Sequence, residues 1–186
     1  MDLEQAIRSR RAVRAFTPEP LERAQLLRLI DAAVQAPSAV NEQPWSFTVI
    51  EDRAVLARIS TESKAHVLAS PPHAVGSSHL QMLRDPKFDI FYHAPALIVI
   101  SSVTASQWAV ENCTLAAENL MLAACAEGLG SCWIGFAQTW LATPGGKAVL
   151  GVPASYLPVA PIIVGHPQGA APAVPRRPPE IRWIGA

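Results

Sequence analysis

The feature that most constrains this chain is a helical stretch over 106–127. Its second half is apolar almost all round, with only Glu118 and Asn119 interrupting. A helix like this must be covered on most sides, by a sheet, by neighbouring helices or by a second subunit. Gly128 or Gly130 supplies its C-cap. Just upstream, Ala96-Leu97-Ile98-Val99-Ile100 is a continuous apolar run of strand length, the pattern of a strand buried on both faces. One such strand and one such helix demand a layered core, and 186 residues at 50% hydrophobic composition are enough to build it.

The remaining segments supply the layers. A short helix is read over 3–9. Leu21, Leu26, Leu27, Ile30, Ala33 and Val34 recur at helical spacing, giving an amphipathic helix over 22–35 that Pro37 ends. Phe47, Val49 and Ile50 mark a strand over 46–50. Asp52 caps a helix running towards Leu68, stopped by Pro71-Pro72. The stretch 76–92 is polar and reads as irregular. A short strand or strand-like turn follows over 131–136, then a weaker helix over 138–150, broken near Pro144-Gly145-Gly146. The run 157–165 reads as a strand, and Pro158 and Pro161 argue for an edge or boundary position. From His166 onward the chain is rich in Pro and Ala, a tail expected to drape over a surface. No composition break marks a second domain, so 1–186 reads as one α+β domain.

Charge and composition exclude several functions. The formal net charge is +0, so the chain has no overall basic field for nucleic acid. The longest strictly apolar run, 120–126, is far short of the roughly 20 residues that a bilayer span needs. Met1-Asp2-Leu3-Glu4 lacks the basic start and apolar stretch of a signal peptide. Cys113, Cys125 and Cys132 make an odd, unpaired set that suits reduced thiols, and a cytoplasmic location is expected. No histidine has metal-ligand spacing, so no metal site is expected.

Three segments carry candidate chemistry. Arg8, Arg10, Arg11 and Arg14 cluster near one end of the chain, and Arg176, Arg177 and Arg182 at the other. The guanidinium fork suits bidentate phosphate contacts, but charge alone favours a solvated basic arm. The segment Ala36-Pro37-Ser38-Ala39-Val40-Asn41-Glu42-Gln43-Pro44-Trp45 is turn chemistry between helix and strand. Its small residues also let backbone amides approach a flat ligand, and its Asn and Gln offer donors and acceptors. In Gly128-Leu129-Gly130-Ser131-Cys132-Trp133-Ile134-Gly135 the glycines permit a helix stop and a close approach, but match neither a phosphate loop nor a dinucleotide fingerprint. Cys132 has no histidine paired with it by motif and reads as packing.

Taken in order, these pieces resemble the nitroreductase family of flavin enzymes. The resemblance runs through Ser9-Arg10-Arg11-Ala12-Val13-Arg14-Ala15-Phe16, Ala36-Pro37-Ser38 to Gln43-Pro44-Trp45, and Phe91-Tyr92-His93-Ala94-Pro95. It continues through Ala116-Ala117-Glu118-Asn119-Leu120-Met121-Leu122-Ala123-Ala124, the glycine-bearing segment 128–135, and 161–165 with the Arg-Arg-Pro tail. Any one piece is unspecific, whereas six in collinear order are not.

The resemblance implies a central, mostly antiparallel sheet flanked by helices in an intertwined homodimer, with FMN at the subunit interface and the tail 166–186 reaching the partner. Carried over by position, Arg10 and one of Arg176 or Arg177 grip the FMN phosphate, with Arg11 and Ala12 alongside. Ala12 stands where the family usually has serine. Arg14 lies near N1 and O2 of the ring, and Lys64 is a looser match near the same end. Pro37, Ser38, Ala39 and Asn41 come from the other subunit, and the backbone N–H of Ile134 or Gly135 points at N5. The implied activity passes hydride from NADH or NADPH through N5 to a nitroaromatic, quinone or enone by a ping-pong route, with no essential catalytic side chain. The short stretch 71–91 leaves little room for a helical cover over the site. Reductive dehalogenation, flavin breakdown or FMN binding without turnover are the alternatives on the same fold.

Overall fold

The computed structural model describes residues 1–72 and 75–185; the last position of the expected tail, 186, lies outside them. Four strands form one antiparallel sheet: β1 (Trp45–Ile50), β2 (Ala96–Ser102), β3 (Gly130–Trp133) and β4 (Leu157–Gly165), in the order β1-β2-β4-β3. Around it lie α1 (Leu3–Ser9), α2 (Arg23–Val34), α3 (Arg53–Ala69), α4 (Ser77–Arg84), α5 (Ala109–Ala126), α6 (Gly135–Leu141) and α7 (Pro144–Leu150).

β2 shows why two layers of helices are needed. Ala96, Ile98 and Ile100 join a core with α2 and α5, whereas Leu97 and Val99 face α3 and α6 on the opposite side. All seven residues of β2 are buried, as its unbroken apolar run requires. Among the described residues, no helix is long and apolar enough to cross a membrane.

α5 packs Ala109, Cys113, Ala116, Ala117, Leu120 and Ala124 inward. It ends as expected at Gly128 (φ 76°): Leu129 N–H reaches Ala124 O at 2.8 Å and Gly128 N–H reaches Cys125 O at 3.1 Å, a Schellman closure. The helix is not covered all round in one chain, since Val110 is 48% and Leu115 45% exposed.

β4 corrects the expectation from its prolines, because it lies inside the sheet between β2 and β3. Val159 is an extra residue between the pairs Ile100–Ala160 and Ser101–Pro158, so Pro158 sits at a bulge. Pro161 O accepts the Ile134 N–H at 2.8 Å. The reciprocal bond cannot form because proline has no N–H, and Ile134 O instead accepts from Ala137 N–H at 3.1 Å in the first turn of α6. β3 therefore ends at Trp133, and the strand expected over 131–136 gives way to a helix at Gly135. The weaker helix beyond divides into α6 and α7, with Pro144 opening α7 and the Thr143 side chain accepting from Gly146 N–H.

The stretch 76–92 is not wholly irregular. α4 forms there, burying Leu83, and its polar composition hid the short apolar face.

Residues 12–17 run along the sheet margin as an extended strap. Ala12 bridges to Ser131, Val13 N–H donates to Ser131 O at 3.0 Å, and Thr17 N–H to His166 O at 2.9 Å. This approach uses two glycines. A Cβ on Gly130 would lie 2.7 Å from Val13 Cγ1, and one on Gly165 2.5 Å from Pro95 Cδ and 2.8 Å from Phe16. Gly135, by contrast, has nothing within 4 Å of a Cβ position. Gly165→Ala is expected to lower unfolding stability by about 1–3 kcal/mol through overpacking. Gly135→Ala should stay within about 0.5 kcal/mol of the parent. Denaturant titrations of the two variants check this pair.

Candidate active site

The strap, the end of β3, α3, α4 and α6 enclose a cavity of about 610 Å³, within the usual size range for small-molecule sites. Arg14 comes from the strap, Trp133 and Ile134 from the end of β3, Gly135 and Phe136 from α6, and His79 from α4. Tyr92 closes one side, its ring centroid 5.9 Å from the Arg14 guanidinium carbon, within cation–π range.

Tyr92 and His93 have φ of 52° and 57°, a left-handed pair that needs support. Asp89 supplies it: its carboxylate accepts from Phe91 N–H and His93 N–H, each at 3.0 Å. Burial pushes the Tyr92 phenol up, and the Arg14 charge opposes part of that rise. Burial likewise raises the Cys132 thiol, against the pull of Arg14 and Arg10, and pushes Cys113 up to about 12. Neither buried thiol is an available nucleophile at neutral pH.

The nitroreductase family model matches residues 7–166. The chain belongs to the nitroreductase family. It is 39% identical to a 4-nitrobenzoate reductase from Pseudomonas putida over 95 residues, which are 50% of this chain and 34% of that protein. The chain spans about a third of the length of the curated relatives it matches. Among solved structures, a nitroreductase with bound FMN from Bacteroides fragilis aligns over 99% of both chains with a TM-score of 0.86 at 24% identity. One from Desulfitobacterium hafniense, also with bound FMN, gives a TM-score of 0.82 at 25% identity over the same shares.

Within this nitroreductase fold, Arg14, Ile134 and Gly135 meet at the cavity. The Ile134 N–H is engaged by Pro161 O, so Gly135 alone of the two has its N–H without an acceptor among the described residues. Lys64 does not line the cavity. It is buried, and its Nζ donates to Asp85 O at 3.0 Å and Phe88 O at 2.6 Å, holding the turn after α4.

Arg10 Nε is buried 3.2 Å from Glu118 Oε1, in ionic contact but without a hydrogen-bond partner. Arg11 turns back to the carbonyls of Arg8 and Arg10 at 2.7 and 2.8 Å. Ala12 and Arg14 are exposed on the strap and border a second groove of about 380 Å³ beside the start of the tail; of the two, Arg14 alone lines the first cavity. Arg176 and Arg177 lie in the exposed tail and make no ion pair among the described residues.

The loop bearing Pro37, Ser38, Ala39 and Asn41 is separate from the cavity and rests on α5. Val40, Asn41 and Gln43 all have positive φ, at 45°, 56° and 47°, and Val40 is 81% exposed. A β-branched residue there is strained and must be held. Asn112 holds it: buried on α5, its Oδ1 accepts from Ala39 N–H at 2.9 Å and its Nδ2 donates to Glu42 at 3.0 Å. Ser38 Oγ adds a bond from Gln43 N–H at 3.0 Å.

The sequence reading missed Asn112, His79, Tyr92 and Phe136. Two carried a signal: Asn112 falls in the buried spacing Ala109, Asn112, Cys113, Ala116, and Tyr92 lies inside the resembling segment 91–95. Asn112→Ala would orphan both loop partners and is expected to cost about 1–3 kcal/mol. Faster amide exchange at Ala39, read by NMR beside an unfolding curve, checks that the loss is local to the loop.

Proposed function

We propose that this chain is an FMN-dependent oxidoreductase that passes electrons from NADH or NADPH to a flat, electron-poor acceptor such as a nitroaromatic, quinone or enone. The observation that carries the reading is the convergence of Arg14 and the unpaired Gly135 N–H on one cavity in a nitroreductase-family chain. The FMN-bound relatives and the 4-nitrobenzoate reductase support the cofactor and the substrate class. The residues fit an anionic, ring-bearing mononucleotide: Arg10 Nε is buried and lacks a hydrogen-bond partner, and the flank of Gly135 is open.

When bound, FMN supplies two-electron transfer at N5. Arg10, with Arg176 or Arg177, holds the phosphate by charge-assisted hydrogen bonds, and Arg11 and Ala12 form the adjoining backbone. Arg14 supplies positive charge at the pyrimidine edge of the ring, since arginine stays cationic. Gly135 offers its backbone N–H to N5, a fixed donor that requires no titrating side chain. Val67, Met82, Ile90 and Trp133 keep the cavity wall apolar and reduce the water in it.

The working unit is a homodimer with FMN at the interface, where Pro37, Ser38, Ala39 and Asn41 of the partner subunit border the ring. Two features of the single chain support this. The outer face of α5 leaves Val110 and Leu115 exposed, and the tail carries Ile181, Trp183 and Ile184 at 60%, 82% and 99% exposure. Both are apolar surfaces of the kind that associate.

The purified protein is expected to be yellow and to oxidise NADH or NADPH only when given an acceptor. Arg10→Ala should weaken FMN affinity by about tenfold or more, through loss of a charged hydrogen bond. Flavin absorbance during titration of the apoprotein reads both arms. A colourless protein whose spectrum ignores added FMN would overturn the reading.

A further inference from the structure

The charges around the cavity are one-sided. Among the described residues its ionisable lining groups are Arg14, His79 and Tyr92, with no carboxylate. The nearby Asp89 is turned into the backbone amides of Phe91 and His93. On the α4 side, His79 is exposed, and its imidazole has no hydrogen-bond partner among the described residues. Its ring stands 6.2 Å from that of Phe136, tilted by 57°, so one wall combines an aromatic face with a free N–H donor.

We propose that the acceptor is an aromatic anion, a ring carrying a carboxylate, with His79 as the residue that selects it. This rests on the oxidoreductase reading above. Arg14 is engaged there with the flavin edge and packs on Tyr92, which leaves His79, among the described lining residues, as the remaining side chain able to carry a positive charge to a substrate anion. A neutral imidazole donates one N–H and a protonated one donates two, so either form serves a carboxylate. An aromatic substrate ring packs on Phe136 by the ordinary offset or edge preferences of aromatic pairs. Walls with no carboxylate impose no like-charge penalty on such a substrate, whereas a cationic acceptor meets Arg14.

The test uses the FMN-loaded protein and two isosteric acceptors, 4-nitrobenzoate and 4-nitrobenzamide, which present the same nitro group with and without the negative charge. The parent protein is expected to favour the carboxylate in kcat/KM by about fivefold, the modest size of a solvent-exposed charged contact. Raised ionic strength should shrink that ratio. His79→Phe keeps a ring opposite Phe136 and should bring the ratio to about one, and His79→Lys should restore it.

Titration calorimetry with benzoate and benzamide, which cannot be reduced, gives a second readout. Benzoate should bind more tightly to the parent and lose that advantage in His79→Phe. A parent ratio near one, or a preference that survives His79→Phe, overturns the proposal. If neither nitro compound nor a quinone or enone is reduced, the oxidoreductase reading fails, and the benzoate and benzamide affinities still decide whether His79 makes an anion site.

Discussion

The backbone strap of residues 12–17 holds the candidate site in place. Its bonds to Ser131 and His166 fix the exposed Arg14 relative to the ends of β3 and β4, with no side-chain contact required. Backbone pairing of this sort tolerates substitution at the exposed strap positions, whereas Phe16 is buried in the core and Gly130 and Gly165 must lack side chains where the strap touches them. A charged group carried on a strapped segment keeps its position at little entropic cost, which is how preorganised binding sites gain affinity.

Polar groups in the interior follow the same economy. Lys64, Asn112 and Asp89 each hold a turn or loop through backbone atoms. All three bond to segments where the chain leaves regular structure, Lys64 from within α3 and Asn112 from within α5, and each satisfies donors or acceptors there. Among the described residues, the Gly135 N–H, Arg10 Nε and the His79 imidazole, assigned here to ligands, have no hydrogen-bond partner, and the buried hydroxyls of Thr17, Ser63 and Ser101 share that state without a ligand role.

Much of this was legible in the sequence, and the exceptions have physical causes. The doubly buried β2 and the C-cap at Gly128 followed from hydrophobic pattern and glycine conformation, both local properties. β4 was misplaced because proline at an interior strand is tolerated only where a bulge or a strand end removes the need for its N–H, and that depends on the partner strand. α4 was hidden because its apolar face spans little more than one turn. Lys64 was assigned a ligand role by resemblance, whereas its ammonium finds two backbone carbonyls that no linear pattern announces. The cover expected for α5 included a second subunit as one source, and one chain alone leaves Val110 and Leu115 exposed.

The prolines of β4 also set the register of the sheet. A slip of β3 by one residue would turn its side chains to the opposite faces and move Pro161 to a position where a donor is required. The missing N–H therefore acts as an endpoint for the ladder, and the carbonyl of Ile134 that it leaves free becomes the first acceptor of α6. Where β3 stops, the next residue is Ile134 and then Gly135, so an imino acid on a neighbouring strand determines which backbone amide stands at the mouth of the cavity.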